Sequence, residues 1–170
     1  MENSPYQKYQ DHISEIIAYT ENKTMPFSEK ENALIFKGQV SLYPHRVTIF
    51  EEMKDKVSSV SEFLVHERGR RVIKEGNTQY QNPIENLGKF RYQLVTNGAT
   101  STSNGRSRVS GSCRSKYMLA TGSIVIYITL GQARKEWWQH AADIEGVIQY
   151  CDSVDDAIET IRRLEANPDE

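Results

Sequence analysis

The sequence SIVIYI, residues 123–128, carries the clearest structural signal in the chain. Its apolar side chains are continuous rather than alternating, which is typical of a strand buried on both faces of a parallel sheet. Four further apolar runs are short and end at polar or turn-forming residues, as strands do. They lie at residues 33–36, 62–65, 90–96 and 147–150. Together these runs predict a sheet of about five strands.

Helical segments alternate with the strands. We assign helices to residues 5–21, 46–53, 112–120, 133–141 and 153–164. The last begins at Ser153, a favoured N-cap residue, and carries one apolar stripe. This alternation predicts the α/β class, as a Rossmann-like three-layer domain with about five parallel strands. We assign residues 26–170 to that domain and residues 1–25 to an amphipathic helix that leads into it.

Composition restricts the classes of function. The chain has 170 residues, with 21 Lys and Arg against 23 Asp and Glu, and its net charge of −2 argues against a general nucleic-acid or anionic-membrane binder. The longest apolar run is far shorter than the ~20 residues that span a bilayer. The N-terminus lacks the apolar stretch of a signal peptide, so a cytoplasmic location without a membrane span is expected. The two cysteines form no metal-binding motif, and no metal or cofactor is expected.

Charge is unevenly distributed along the chain. Residues 86–135 contain no Asp or Glu but hold eight Lys and Arg residues. An acid-free basic segment within a nearly neutral chain indicates a local anion site rather than a general polyanion surface. The alternative from charge alone is a solvated basic loop.

Two loops are expected beyond the carboxyl ends of strands, where parallel α/β sheets bind their ligands. One runs from Lys37 to Arg46, and the other runs from Asn97 to Arg114. Residues 99–111 of the second are rich in Gly, Ser, Thr and Asn and are predicted to be an irregular loop.

The second loop ends in residues suited to a phosphate. Gly111 lets an anion approach the backbone, Ser112 can donate at a helix start, and Arg114 supplies a charged fork. Lys116 lies about 200° from Arg114 around a helix, so we expect Arg114 to face the ligand. The segment matches neither the P-loop nor the dinucleotide-binding pattern. The residues alone therefore indicate a phosphate or nucleotide site of another kind.

Three ordered stretches resemble the glycosyltransferases of family 90, the CAP10 and protein O-glucosyltransferase group. The first joins PFSEK, IFKG and PHR, at residues 26–30, 35–38 and 44–46. The second joins GKFRY, SGSCRSKY and GSIV, at residues 88–92, 110–117 and 122–125. The third joins EWW at 136–138 to the strand at 147–150 and the helix capped by Ser153.

This resemblance implies the carboxyl-terminal, donor-binding lobe of a GT-B enzyme that transfers a hexose or pentose from a UDP-sugar without a metal. The donor diphosphate would be held by Arg114, Ser112, Arg46, Lys37 and Gly111. Sugar or nucleotide contacts would come from Asn97, Gly98, Lys116 and Glu136. The acceptor would be a glycan or protein hydroxyl.

The chain departs from the family pattern at three points. Lys37 stands where the family has Arg, which keeps the charge but loses the fork. The loop from Gly98 to Gly111 is longer than in the family. The resemblance covers no acceptor lobe and no catalytic base. Three explanations are open: a partner chain supplies both, the chain is a fragment of a split or degraded gene, or its activity has been lost. The alternatives are a non-catalytic nucleotide- or sugar-phosphate-binding module and, less favoured, a nucleic-acid-binding domain.

Overall fold

A computed structural model of the chain describes residues 14, 17, 18, 20, 21, 25–38, 44–57, 60–67, 88–96, 98–101, 107–110, 118–129 and 146–167. For residues 37–38, 64–67, 98–101 and 107–110 this description is of the backbone alone. The predicted helix at 133–141 and the beginning of the helix at 112–120 lie outside it. So does most of the helix predicted at 5–21, although its five described residues are helical.

The described part of the chain contains seven strands and two long helices, preceded by a 3₁₀ turn at Phe27–Glu29. In chain order they are β1 (Glu31–Gly38), α1 (Pro44–Lys56), β2 (Glu62–Glu67), β3 (Phe90–Thr96), β4 (Gly98–Ser101), β5 (Ser107–Ser110), β6 (Ile124–Ile128), β7 (Ile148–Cys151) and α2 (Val154–Ala166).

Five of the strands form one parallel sheet in the order β2-β1-β3-β6-β7. All five predicted strands are therefore confirmed, and so is the Rossmann-like α/β class. The order is that of a doubly wound sheet, in which the chain builds outward from β1 and then, from β3, in the opposite direction. The predicted helix at 46–53 is α1, which begins two residues earlier at Pro44, a residue favoured in the first turn of helices.

Each face of the sheet carries its own apolar core. On one face, Leu34 of β1 and Ile126 of β6 pack with α1 and α2, which supply Met53 and Ile161 among other fully buried side chains. The opposite core includes Met118 in the short helical segment before β6. β6 contributes to both cores, as continuous apolar character predicts for a strand covered on both sides.

The cap of α2 follows from its sequence. Ser153 accepts a hydrogen bond from Asp156 N at 3.1 Å, and the Asp156 carboxylate accepts one from Asp152 N at 2.9 Å. The first bond occupies a backbone donor that the first turn of a helix leaves without an intrahelical partner, and the second fixes the residue that precedes the cap. The predicted N-cap is confirmed.

Substituting Ser153 by Ala is expected to lower the free energy of unfolding by about 1 kcal/mol, because one N–H of the first turn loses its acceptor. Urea denaturation measures this loss. Ser28→Ala is a matched control, since Ser28 is exposed and lies in the 3₁₀ turn. Equal midpoints for the two variants would contradict the role assigned to the cap.

The predicted loop at residues 99–111 is wrong over most of its length. β4 and β5 pair there as an antiparallel ribbon, with Gly98 opposite Ser110 and Ser101 opposite Ser107. Composition misled the prediction because Ser, Gly and Asn favour turns, whereas the Thr and Val residues between them suit a strand. A polar ribbon outside the main sheet also lacks the apolar alternation by which strands are recognised.

Polar contacts join the amino-terminal ends of the strands. The buried Lys30, just before β1, donates through Nζ to Gly88 O and, at 2.9 Å, to Thr121 O. These two carbonyls precede β3 and β6, so one ammonium group connects the starts of three strands. Burial lowers the pKa of Lys30.

A second polar contact fastens the end of α2 to the same region. The Glu165 carboxylate accepts from Tyr92 Oη at 2.6 Å and from Arg91 Nη1 at 2.7 Å, both in β3. Phe27 packs edge-on against the Tyr92 ring, with 6.0 Å between centroids. The polar groups described at the amino-terminal ends of the strands therefore make contacts that stabilise the fold.

Candidate functional site

The strand order locates the crevice where a ligand is expected. From β1 the chain passes through α1 to β2 on one side, whereas from β3 it goes to β6 on the other side. Connections that diverge in this way leave a gap outside the carboxyl ends of the two strands between them, and doubly wound proteins bind ligands there. In this chain those strands are β1 and β3, and both loops singled out from the sequence follow them.

The β1 side of the crevice is basic. β1 ends in Lys37 and Gly38, and α1 then begins at Pro44. Arg46, in the first turn of α1, is half-buried, and its guanidinium carbon lies 5.7 Å from the centroid of the Phe36 ring. This cation–π contact holds the charge near the end of β1.

The beginning of α1 differs electrostatically from that of α2. The first turn of α2 carries Asp155 and Asp156, which counter the positive end of its dipole. The first turn of α1 carries no acidic residue and holds Arg46 instead. A helix start with an added cation and no carboxylate has a positive potential. The amino-terminal end of α1 is therefore more favourable for an anion than that of α2.

The ribbon brings the second loop back to its starting point. Gly98, at the beginning of β4, lies directly opposite Ser110, the last residue of β5. Paired strands lie ~5 Å apart, so Ser110 is close to the carboxyl end of β3 however many residues separate β4 from β5. The chain therefore returns, at Ser110, to the strand end that borders the crevice.

Thr96, the last residue of β3, has a buried hydroxyl without a hydrogen-bond partner. Its side chain is only 1 % exposed, and Oγ1 contacts no donor or acceptor in the part of the chain that the structure describes. Buried hydroxyls are nearly always paired, so this group requires an explanation. It was not among the residues singled out from the sequence.

The structure describes three of the predicted site residues, and all three lie around this crevice: Arg46, Lys37 and Gly98, with the backbone alone described for the last two. The remaining predicted residues lie outside the described ranges, and they are Arg114, Ser112, Gly111, Asn97, Lys116 and Glu136.

In comparisons with protein-family models, curated proteins and solved structures, nothing matches the chain.

Beyond the crevice, the neighbouring strand ends are occupied by packing contacts. Thr129 donates to Asp152 at 2.9 Å just past β6 and β7. Burial raises the pKa of the Cys151 thiol to about 11, so at neutral pH it is a protonated core group rather than a nucleophile.

No three potential metal ligands from His, Cys, Asp and Glu cluster among the described residues. No helix within those ranges has the length and apolar character needed to cross a membrane.

Proposed function

We propose that this chain is the donor-binding domain of a glycosyltransferase and that it holds the diphosphate of a UDP-sugar outside the carboxyl ends of β1 and β3. The observation that carries the proposal is the position of the crevice between the two strands whose loops hold the basic and glycine-rich residues. The resemblance to family 90 supplies the identity of the donor.

Charge at the crevice supports diphosphate as the bound group. Arg46 adds a cation to the beginning of α1, and Lys37 adds another at the second-last position of β1. Arg114 and Ser112 follow the ribbon, whose last residue lies opposite Gly98. In the proposal these four side chains contact the diphosphate together with the backbone at Gly111. Asn97, Gly98, Lys116 and Glu136 would contact the sugar or the nucleoside.

The proposed chemistry is transfer of a hexose or pentose. The bond between the anomeric carbon and the diphosphate breaks, and the acceptor hydroxyl oxygen forms a new bond to that carbon as it loses its proton. Negative charge grows on the departing diphosphate, so fixed cations and N–H donors there stabilise the transition state. A base within ~3 Å of the acceptor hydroxyl takes the proton, and we assign that base to an acceptor lobe on a partner chain.

Arg46→Ala is expected to weaken UDP binding about tenfold, because a charge-assisted hydrogen bond to the diphosphate contributes at least ~1.5 kcal/mol. Calorimetric titration of UDP and UDP-glucose into the chain and its variants measures the effect, and Arg114→Ala should weaken binding similarly. Arg162→Ala is the matched control, since Arg162 is exposed on α2 and pairs with Glu159. Absence of saturable binding at millimolar UDP would refute the proposal.

Two further measurements separate the alternatives. UDP release from UDP-glucose, with and without an added glycan acceptor, distinguishes a transferase from a non-catalytic nucleotide- or sugar-phosphate-binding module. Dependence of binding on salt distinguishes both from a nucleic-acid-binding domain, because contact with many phosphates gives a steep slope. We expect a shallow slope.

A further inference from the structure

Thr96 is exceptional among the buried serine and threonine residues that the structure describes. The others each donate to a defined acceptor: Ser61 to Glu62 O, Thr121 to Met118 O, Ser123 to Phe90 O and Thr129 to the Asp152 carboxylate. Of these five serine and threonine side chains, only Thr96 has a buried hydroxyl without a hydrogen-bond partner. A buried polar group left unpaired destabilises a protein, so the position calls for a partner that the described part of the chain does not supply.

Strand geometry places this hydroxyl beside the basic side of the crevice. Side chains alternate along a strand, so Thr96 shares a face with Tyr92 and Leu94, which belong to the core under α1 and α2. Its neighbour in the sheet, Ile128, lies in the same core. Arg46 packs over Phe36 on that face as well.

The register also places Thr96 at the level of the crevice. Ile35 of β1 lies beside Gln93 of β3. Gly38 and Thr96, each three residues further along, therefore end the two strands at the same edge. The unpaired hydroxyl thus lies at the strand end that borders the crevice, on the face where Arg46 is held.

We propose that Thr96 is a ligand-binding residue whose hydroxyl donates a hydrogen bond to a phosphate oxygen of the bound ligand. This inference rests on the proposed function, since it assumes that an anion occupies the crevice. A phosphate oxygen is an acceptor only, so the hydroxyl must be the donor. Binding would then satisfy the hydroxyl that is unpaired in the free protein and would add a short, charge-assisted bond to the phosphate.

Thr96→Val tests the proposal because valine has nearly the same shape without the hydroxyl. The substitution is expected to raise the stability of the free protein and to weaken ligand binding. The free protein should melt ~2–4 °C higher, since an unsatisfied buried group is removed. The dissociation constants for UDP and for inorganic diphosphate should each rise about tenfold.

Two control variants isolate the hydroxyl. Thr96→Ser keeps the donor and should bind UDP within about threefold of the natural chain. Thr121→Val removes a buried hydroxyl that is already paired, so it should lower the melting temperature and leave UDP affinity unchanged.

The possible outcomes distinguish a failure of the role of Thr96 from a failure of the proposed function. If the natural chain binds UDP and Thr96→Val binds it equally well, the role of Thr96 is refuted while the proposed function stands. If Thr96→Val weakens UDP binding but not diphosphate binding, the contact is to the nucleoside and the phosphate assignment is overturned. If the natural chain binds neither probe, both claims fail.

Discussion

Replacing Glu165 by Ala is expected to lower the free energy of unfolding by about 3 kcal/mol. The carboxylate accepts hydrogen bonds from the fully buried Tyr92 and from Arg91, whose side chain is 24 % exposed. Without it, a buried phenol and a largely buried cation lose their shared acceptor, and each unsatisfied group costs about 1–3 kcal/mol. Urea denaturation at neutral pH measures the loss.

Two matched variants test whether the loss of stability in Glu165→Ala comes from the burial of its hydrogen-bond partners. Glu165→Gln keeps the shape and one acceptor oxygen, so it should lose less than Glu165→Ala. Glu159→Ala, on the same helix, removes a carboxylate that pairs with Arg162 on the surface, and should change stability by no more than about 0.5 kcal/mol. Similar losses of stability from Glu165→Ala and Glu159→Ala would show that the contacts of Glu165 with Arg91 and Tyr92 do not fasten α2 to the sheet.

The same contact predicts a dependence on alkaline pH. Burial, and then the hydrogen bond to Glu165, raise the pKa of Tyr92 above its ordinary value of 10.0. A group with a raised pKa in the folded state contributes stability that is complete below 10.0 and is lost as pH rises beyond it. That loss should be smaller in Glu165→Ala, where part of the pKa shift is gone.

Lys30→Met is expected to lower the free energy of unfolding by about 2.5 kcal/mol at pH 7. Methionine replaces the apolar stem of the lysine but leaves Gly88 O and Thr121 O without their donor. Two lost bonds from a charged donor outweigh the relief of no longer burying that charge. Lys54→Met, at an exposed position of α1, is the control and should have little effect.

The penalty of Lys30→Met should also increase with pH. Because burial lowers the pKa of Lys30 in the folded state, the unfolded chain binds more protons between that lowered value and 10.5. The natural chain therefore gains stability across that interval, whereas the Met variant has no such group. Denaturation curves at pH 7, 8.5 and 10 measure the difference, and a constant or shrinking gap would show that Lys30 is not desolvated.

Much of the fold could be predicted from the sequence because its central elements depend on local patterns. The continuous apolar run of β6 and the capped stripe of α2 are readable without tertiary information. Strand order is different, since nothing in the sequence of β3 states that β1 and β6 will be its neighbours. The position of the crevice therefore required the structure.

The site was only partly predictable for a related reason. Arg46 and Lys37 were singled out as the ends of a loop expected to follow the first strand, and their role in a site stays a prediction. Thr96 was missed because a threonine that ends an apolar strand is ordinary until its hydroxyl is seen to be buried and unpaired. Lys30 likewise reads as one more surface lysine, and only packing shows that it is a core residue.

The contacts described above fall at the two ends of the strands, one structural and the other proposed to bind a ligand. Lys30 and Glu165 make their bonds at the edge where the strands begin, while Arg46 and Thr96 lie at the edge where β1 and β3 end. Substitutions at the second edge leave the fastening at the first intact. Under the proposed function, evolution or a protein engineer could therefore exchange one ligand preference for another at β1 and β3 while the scaffold keeps its tolerance to mutation.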